Sequence, residues 1–277
     1  MHAKSIILTV LILAGCGSTP KPADPPRLKA ALEAESDGAK RYERGDYIVA
    51  TRRFEEAVRI YASIDDATGT SRNRLHLART ELARGQAETA LLALAGNAGD
   101  PTVDTLMLTA QAQLALDRLD AAQRSLAAAA GQCATPCPQL ASLNLLRARA
   151  ALAGGQAPEA LAHAEAALKL LRDGNEANET ANAWRLIASA RLAAGDAAGA
   201  LPAAGAALDI DRRLALPEKI ARDWLLIGDI RRKVGDGATA VAYRRALDVA
   251  NAAGLAEIAR AAALSLGATA PGQTAPR

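Results

Sequence analysis

Aromatic side chains are nearly missing from this sequence: among 277 residues there are one Phe, two Trp and four Tyr, 3% of the chain. Val, Ile and Thr are sparse beyond the first dozen positions. Sheets are built from β-branched and aromatic residues on pleated, half-buried surfaces, so an all-β fold is excluded and an α/β fold is disfavoured. What the chain has instead is alanine, roughly a quarter of all residues, and leucine, roughly a seventh. These are strong helix formers, and they predict an all-α protein. Alanine-faced helices bury little area each, so their stability must come from many close inter-axial contacts.

Charge of one sign is also lacking. Against 30 acidic residues stand 33 Lys and Arg, a net charge of +3, which drops to +2 once Lys4 leaves with the leader described next. Runs such as Thr51-Arg52-Arg53 and Arg231-Arg232-Lys233 are diluted by acidic neighbours. They read as solvated helix faces, and no nucleic-acid partner is expected.

The amino terminus reads as an address. Lys4 precedes an apolar run from Ile6 to Leu13, too short to cross a hydrocarbon core of about 30 Å and of the length of a signal-peptide core. It ends in Leu13-Ala14-Gly15-Cys16. That sequence resembles the lipobox of bacterial lipoproteins, which implies cleavage after Gly15 and a lipid anchor on Cys16. Gly17 follows, not the Asp that retains such proteins in the inner membrane. The resemblance therefore implies an outer-membrane protein, lipid-anchored and facing the periplasm. Residues 16–27 hold four of the twelve prolines and no apolar periodicity, and are expected to be a tether. Residues 267–277 are expected to be disordered on the same grounds.

Residues 28–266 repeat. Tyr42-Glu43-Arg44-Gly45-Asp46-Tyr47 is followed by Ala50, Phe54 and Ala57, and the same frame recurs at Gly85, Asp117, Gly155 and Gly195. A sixth copy at Gly235, with Tyr243 and Ala246, is one residue out of step, which suggests an insertion in its turn. Each copy reads as helix, tight turn, helix. The glycine ends the first helix in the left-handed conformation, Asp46, Asp196 and Asp236 stand where they could cap the second, and Ala50, Ala90, Ala122, Ala160, Ala200 and Ala240 let the two helices approach.

This pattern is similar to the tetratricopeptide repeat. Gly38 and Gly228 fall at its first-helix glycine, and Trp184 and Trp224 at its first large residue. The resemblance implies a right-handed superhelical solenoid of about six helix pairs. Turns at 45, 85, 117, 155, 195 and 235 are spaced 40, 32, 38, 40 and 40, all but one longer than the usual period of about 34; a period near 40 is similar to the variant in kinesin light chains, LGN-type polarity scaffolds and the peptide-sensing regulators of Gram-positive bacteria. Two departures stand out. The second-helix aromatic has become Ala164 and Ala204, and Pro202 falls in an expected helix interior, where it should kink the helix or delay its start.

Catalytic chemistry is the last thing the sequence lacks. His2 leaves with the leader; His76 and His163 stand alone, without partners at ligand spacing, and no metal site is expected. There is no Gly-x-Ser-x-Gly, His-Glu-x-x-His, phosphate-cradling loop or dinucleotide fingerprint. The chain is expected not to be an enzyme and to take no cofactor. Cys133 and Cys137, four apart in a Pro-containing loop of a chain routed to an oxidising compartment, read as a structural disulfide or as idle thiols rather than a redox pair.

A stack of helix pairs binds with the inner wall formed by its first helices. The groove positions that the resemblance implies are Tyr42, Leu82, Leu114, Leu152 and Leu192 in one row, Leu75, Met107, Leu145, Arg185 and Leu225 in a second, and a polar set of Arg72, Arg79, Gln111, Ser189, Arg222 and Asp229. The leucines have a plainer reading, as packing between neighbouring repeats. The expected role is an envelope scaffold or adaptor that holds a periplasmic or envelope protein. The alternatives are a sensor of peptides or cell-wall fragments, and an assembly factor for pili or secretion.

Overall fold

The computed structural model describes residues 24–97, 99–172, 174 and 176–269. The leader at 1–15, Cys16, the tether as far as residue 23, and 270–277 of the expected tail lie outside the described residues. Among the described residues there is no strand. The described residues form thirteen helices: α1 (Pro26–Glu43), α2 (Tyr47–Ser63), α3 (Ala67–Ala83), α4 (Ala87–Ala95), α5 (Val103–Ala115), α6 (Leu119–Gln132), α7 (Leu140–Ala153), α8 (Ala157–Leu171), α9 (Ala177–Ala193), α10 (Ala197–Arg213), α11 (Pro217–Val234), α12 (Thr239–Ala252) and α13 (Ala256–Gly267). α1 starts at Pro26, two residues before the repeat region was expected to begin; its fixed φ suits a first helical position.

Every helix packs on the helices before and after it. Neighbouring odd-numbered helices also touch one another from α1 to α13, whereas among the described residues no two even-numbered helices do. The odd helices therefore line the inside of a curved stack and the even ones its outside, which makes the array a superhelical solenoid of six helix pairs. α13 is the extra element. Its Ile258 covers Ala221 and Ala250 of the last pair and so closes an end that has no further repeat.

The turns follow the sequence frame. Gly45, Gly85, Gly155, Gly195 and Gly235 all have φ between 71° and 85°, and in the third pair Asp117 takes the place of glycine at φ 56°. A short polar side chain that bonds locally makes Asp one of the residues that tolerates this region. The expected aspartate caps are only partly realised. Asp196 accepts from Gly199 N at 2.8 Å, but Asp46 turns to Arg41 instead, and Asp236 accepts from Ala238 N ahead of the helix rather than inside its first turn. Caps that the repeat frame did not reveal are Asp66 on α3 and Thr102 on α5.

Two further expectations are corrected. α10 does not start late: it begins at Ala197 and runs on through Pro202, which is exposed. The sixth copy is short by one residue rather than long by one. Thr239, four after Gly235, is buried where Ala50, five after Gly45, is buried, and Ala240 is only half-buried.

Side-chain size is matched across each pair at the residue seven before the turn and the one that faces it from the second helix. Gly38 lies under Phe54, and Gly228 under Tyr243. In the second and third pairs Ala78 shares a buried cluster with Leu94, and Ala110 with Leu126. In the fourth and fifth, Ala148 and Ala188 share one with Ala164 and Ala204. Where the aromatic is lost, both sides are alanine, and all four are fully buried within one cluster.

Candidate binding groove

Residues from α1, α3, α5, α7, α9 and α11 enclose a groove of about 900 Å³ along the inner wall. Eight of the groove positions named from the sequence line it: Tyr42, Arg79, Met107, Gln111, Leu145, Arg185, Ser189 and Arg222. The others do not. Leu75 and Leu82 pack on Ala78, Ala90 and Leu94; Leu114 packs in the α5–α6 cluster; Leu152 packs on Ala151, Ala160 and Ala190. Leu192 joins the large cluster around Ile187, and Leu225 covers Ala221 and Ala250. For these leucines the plainer reading holds. Leu82, Leu114, Leu152 and Leu192 stand three positions beyond Arg79, Gln111, Arg149 and Ser189, a turn of about 60° at about 100° per residue, whereas Tyr42 at the same step of the first pair lines the groove; Leu75 and Leu225 share the register of Met107 and Leu145 and are held instead by their apolar neighbours.

Asp229 is also spoken for: its Oδ1 accepts from the Tyr243 hydroxyl at 2.7 Å and from Arg232 at 3.1 Å. Arg72 forks onto Glu35 with bonds of 2.6 and 2.8 Å, and Glu35 also accepts from Tyr61 and Asn73. Burial alone would raise the Glu35 pKa. The hydrogen bonds from Arg72, Asn73 and Tyr61, with the Arg72 charge, outweigh it and bring the carboxyl down to about 2.

Arg185 is the main electrostatic feature of the wall. From α9 its Nε donates to Asp223 of α11 at 2.6 Å, its Nη2 to Asp211 of α10, and its Nη1 to Asn182 at 2.9 Å. Both aspartates are fully buried, and Asp211 Oδ1 has no hydrogen-bond partner. One guanidinium therefore serves two carboxyls. Burial pushes Asp223 up to about 6, the neighbouring Asp211 adds to the rise, and Arg185 offsets part of it. Lys219 completes the cluster by bonding Asn182 at 3.0 Å; burial first, then Arg185, lowers its pKa. This arrangement locks three helices together at one end of the groove. It is a structural use of an arginine that the sequence placed among ligand-facing residues.

Arg149 of α7 lines the groove and was absent from the sequence-derived set. The signal was available: it stands six before Gly155, as Arg79 stands six before Gly85. Among the described residues it has no hydrogen bond and no carboxylate within 4.0 Å. Its side chain is exposed to solvent in the groove; partial desolvation by the groove walls, and then the charge of Arg222, lower its pKa from the usual arginine value. Arg222 itself bonds Glu218 one turn earlier at 2.9 Å.

The histidines lie elsewhere. His76 stacks on Phe54, with centroids 5.1 Å apart and planes at 14°, and burial lowers its pKa. His163 meets Glu159, a carboxylate one helical turn away that the sequence reading passed over, at 3.6 Å. Among the described residues no three His, Cys, Asp or Glu side chains gather as metal ligands. Cys133 and Cys137 are joined in a disulfide, with Cα atoms 5.4 Å apart, in the loop between α6 and α7.

No protein-family model and no curated protein matches the chain. Solved structures do resemble it. The APC/C hetero-tetramer Cut9-Hcn1 aligns with a TM-score of 0.68 at 15% identity, over 84% of this chain and 42% of the other, so the chain spans less than half of that protein's length. The apo form of RapI aligns with a TM-score of 0.59 at 13% identity, over 85% and 69%. A tetratricopeptide repeat protein from Parabacteroides merdae aligns with a TM-score of 0.50 at 12% identity, over 84% and 99%. At these identities the likeness is one of fold: an all-α solenoid of tetratricopeptide-like helix pairs.

Proposed function

We propose that this protein is a scaffold that holds a protein partner in its concave groove, tethered by an acylated Cys16 to the periplasmic face of the outer membrane. The observation that carries the binding role is the groove itself, a mixed polar and apolar channel of about 900 Å³ crossing all six first helices. Such a channel offers hydrogen-bonding groups and apolar surface over the length of a peptide segment or an amphipathic helix, the two shapes that helical grooves take. None of its polar groups forms a nucleophile and base pair. The anchor rests on Leu13-Ala14-Gly15-Cys16, and residues 17–25 supply the reach from the lipid surface to α1.

Both halves of the proposal have direct tests. Cys16→Ser moves the protein from the membrane fraction to the soluble periplasm; if the variant stays with the outer membrane, the anchor is wrong. The acylated protein, solubilised from its own envelope in mild detergent, copurifies with one protein at fixed stoichiometry. If no partner is found and muropeptides raise its Tm, the sensor reading replaces the scaffold.

A further inference from the structure

We infer that the segment held in the groove is acidic, and that a carboxylate of the partner sits at Arg149. This rests on the scaffold reading and names the chemistry of what the groove takes.

The argument begins with the charges that are already used. Arg185 is bound to Asp211 and Asp223, and Arg222 to Glu218. Arg149 is not used. It projects into the groove from the middle of the stack, without an acid or an acceptor among the described residues, and with Arg222 as its nearest charged influence. Its side chain is exposed to the groove, so its positive charge has no partner within the fold and is open to an arriving anion. Five donors in a fixed fork make a carboxylate the natural occupant.

The row that contains Arg149 has the same bias. Six residues before successive turns stand Arg79, Gln111, Arg149 and Ser189, all lining the groove and all able to donate. No acid interrupts these four. Asp104, the groove carboxylate on α5, lies seven residues before Gln111, about 10 Å away at 1.5 Å per residue. An extended acidic segment laid along this row meets donors on four consecutive first helices, with the Arg149 contact at its centre.

The test uses the full mature protein and two labelled peptides of equal length, one repeating Glu-Leu-Ala and the other Gln-Leu-Ala, with binding read by fluorescence polarisation. The acidic peptide binds about tenfold more tightly than the neutral one, as one charge-assisted bond allows. Arg149→Gln removes that preference, and Arg149→Lys recovers part of it. Arg147→Gln, on the other side of α7 by His163, leaves the preference intact. Because Arg149 has no partner within the fold, Arg149→Gln leaves Tm unchanged or raises it, so lost binding is not lost folding. Equal binding of the two peptides, or equal loss in the two glutamine variants, overturns the inference. A partner that copurifies with wild type and equally with Arg149→Glu also overturns it, while leaving the scaffold reading intact; a wild type without any partner is a failure of the scaffold reading instead.

Discussion

Arg185→Met lowers folding stability by about 3–5 kcal/mol at neutral pH, the usual cost of leaving a buried charge without its partner. Here two carboxyls are left. Asp211 and Asp223 are both fully buried, and Arg185 is their common cation. The loss is expected to depend on pH, with a definite sign. The Asp223 carboxyl is raised to about 6 in the fold from an ordinary value of 3.8, so the folded state holds its proton more tightly than the unfolded chain does. Its penalty is absent below the unfolded value, grows as pH rises between the two, and is fully present above about 6. Without Arg185 that window extends upward, so the deficit of the variant against wild type is smaller near pH 5 than at neutrality. Urea midpoints at a series of pH values read this directly. A loss that is the same at every pH contradicts the shared-cation account, as does a triple variant with Asp211→Asn and Asp223→Asn that fails to recover stability. The wild type has an opposite limb in stronger acid. Glu35, held at about 2, contributes stability that is present above its unfolded value of 4.5 and is lost as pH falls towards 2.

Tyr243→Ala is the second large effect, about 3–5 kcal/mol, because it deletes one of the largest fully buried side chains in the fold. Its cause is the matching of sizes across helix pairs, and this can be separated from simple loss of bulk. A Cβ added to Gly228 would stand 2.4 Å from Tyr243 Cε1, and one added to Gly38 would stand 2.8 Å from Phe54 Cε1. Gly228→Ala alone therefore overpacks the pair and costs about 1–3 kcal/mol. Combined with Tyr243→Leu it creates the Ala–Leu pairing that already exists at Ala78 and Leu94 and at Ala110 and Leu126. The double variant is expected to be more stable than the sum of the two single changes predicts, with a coupling of about 1 kcal/mol or more. Strict additivity in thermal melts would mean that the two positions do not share one space.

These two cases mark where the sequence is readable and where it stops. The repeat frame rests on local requirements, a left-handed residue at the turn and small residues at helix contacts, and both recur at fixed spacing. So the solenoid, its six pairs and the size of Gly38 and Gly228 could be read directly, while α13, which repeats nothing, could not. Groove residues were legible by register only in part, since Leu75 and Leu225 share the register of Met107 and Leu145 yet pack between helices. Met107, Gln111 and Leu145 face inward, but Leu82, Leu114 and Leu152, one step further round the helix, are drawn into the seams by apolar neighbours on other helices. Long-range electrostatics left no trace at all. Asp211 and Asp223 are 26 and 38 residues from Arg185, and no spacing rule connects a pairing across three helices. Arg149 is the opposite case: its position in the repeat was visible, and only its lack of a partner required the structure.

Site-specific photo-cross-linking in the native envelope tests the central claim most directly. A photoreactive residue at Ser189, inside the groove, is compared with one at Leu92, exposed on α4 of the outer face. The account predicts one discrete cross-linked protein from position 189 and none from position 92. The same products from both positions, or a product from position 92 alone, would place the partner outside the groove.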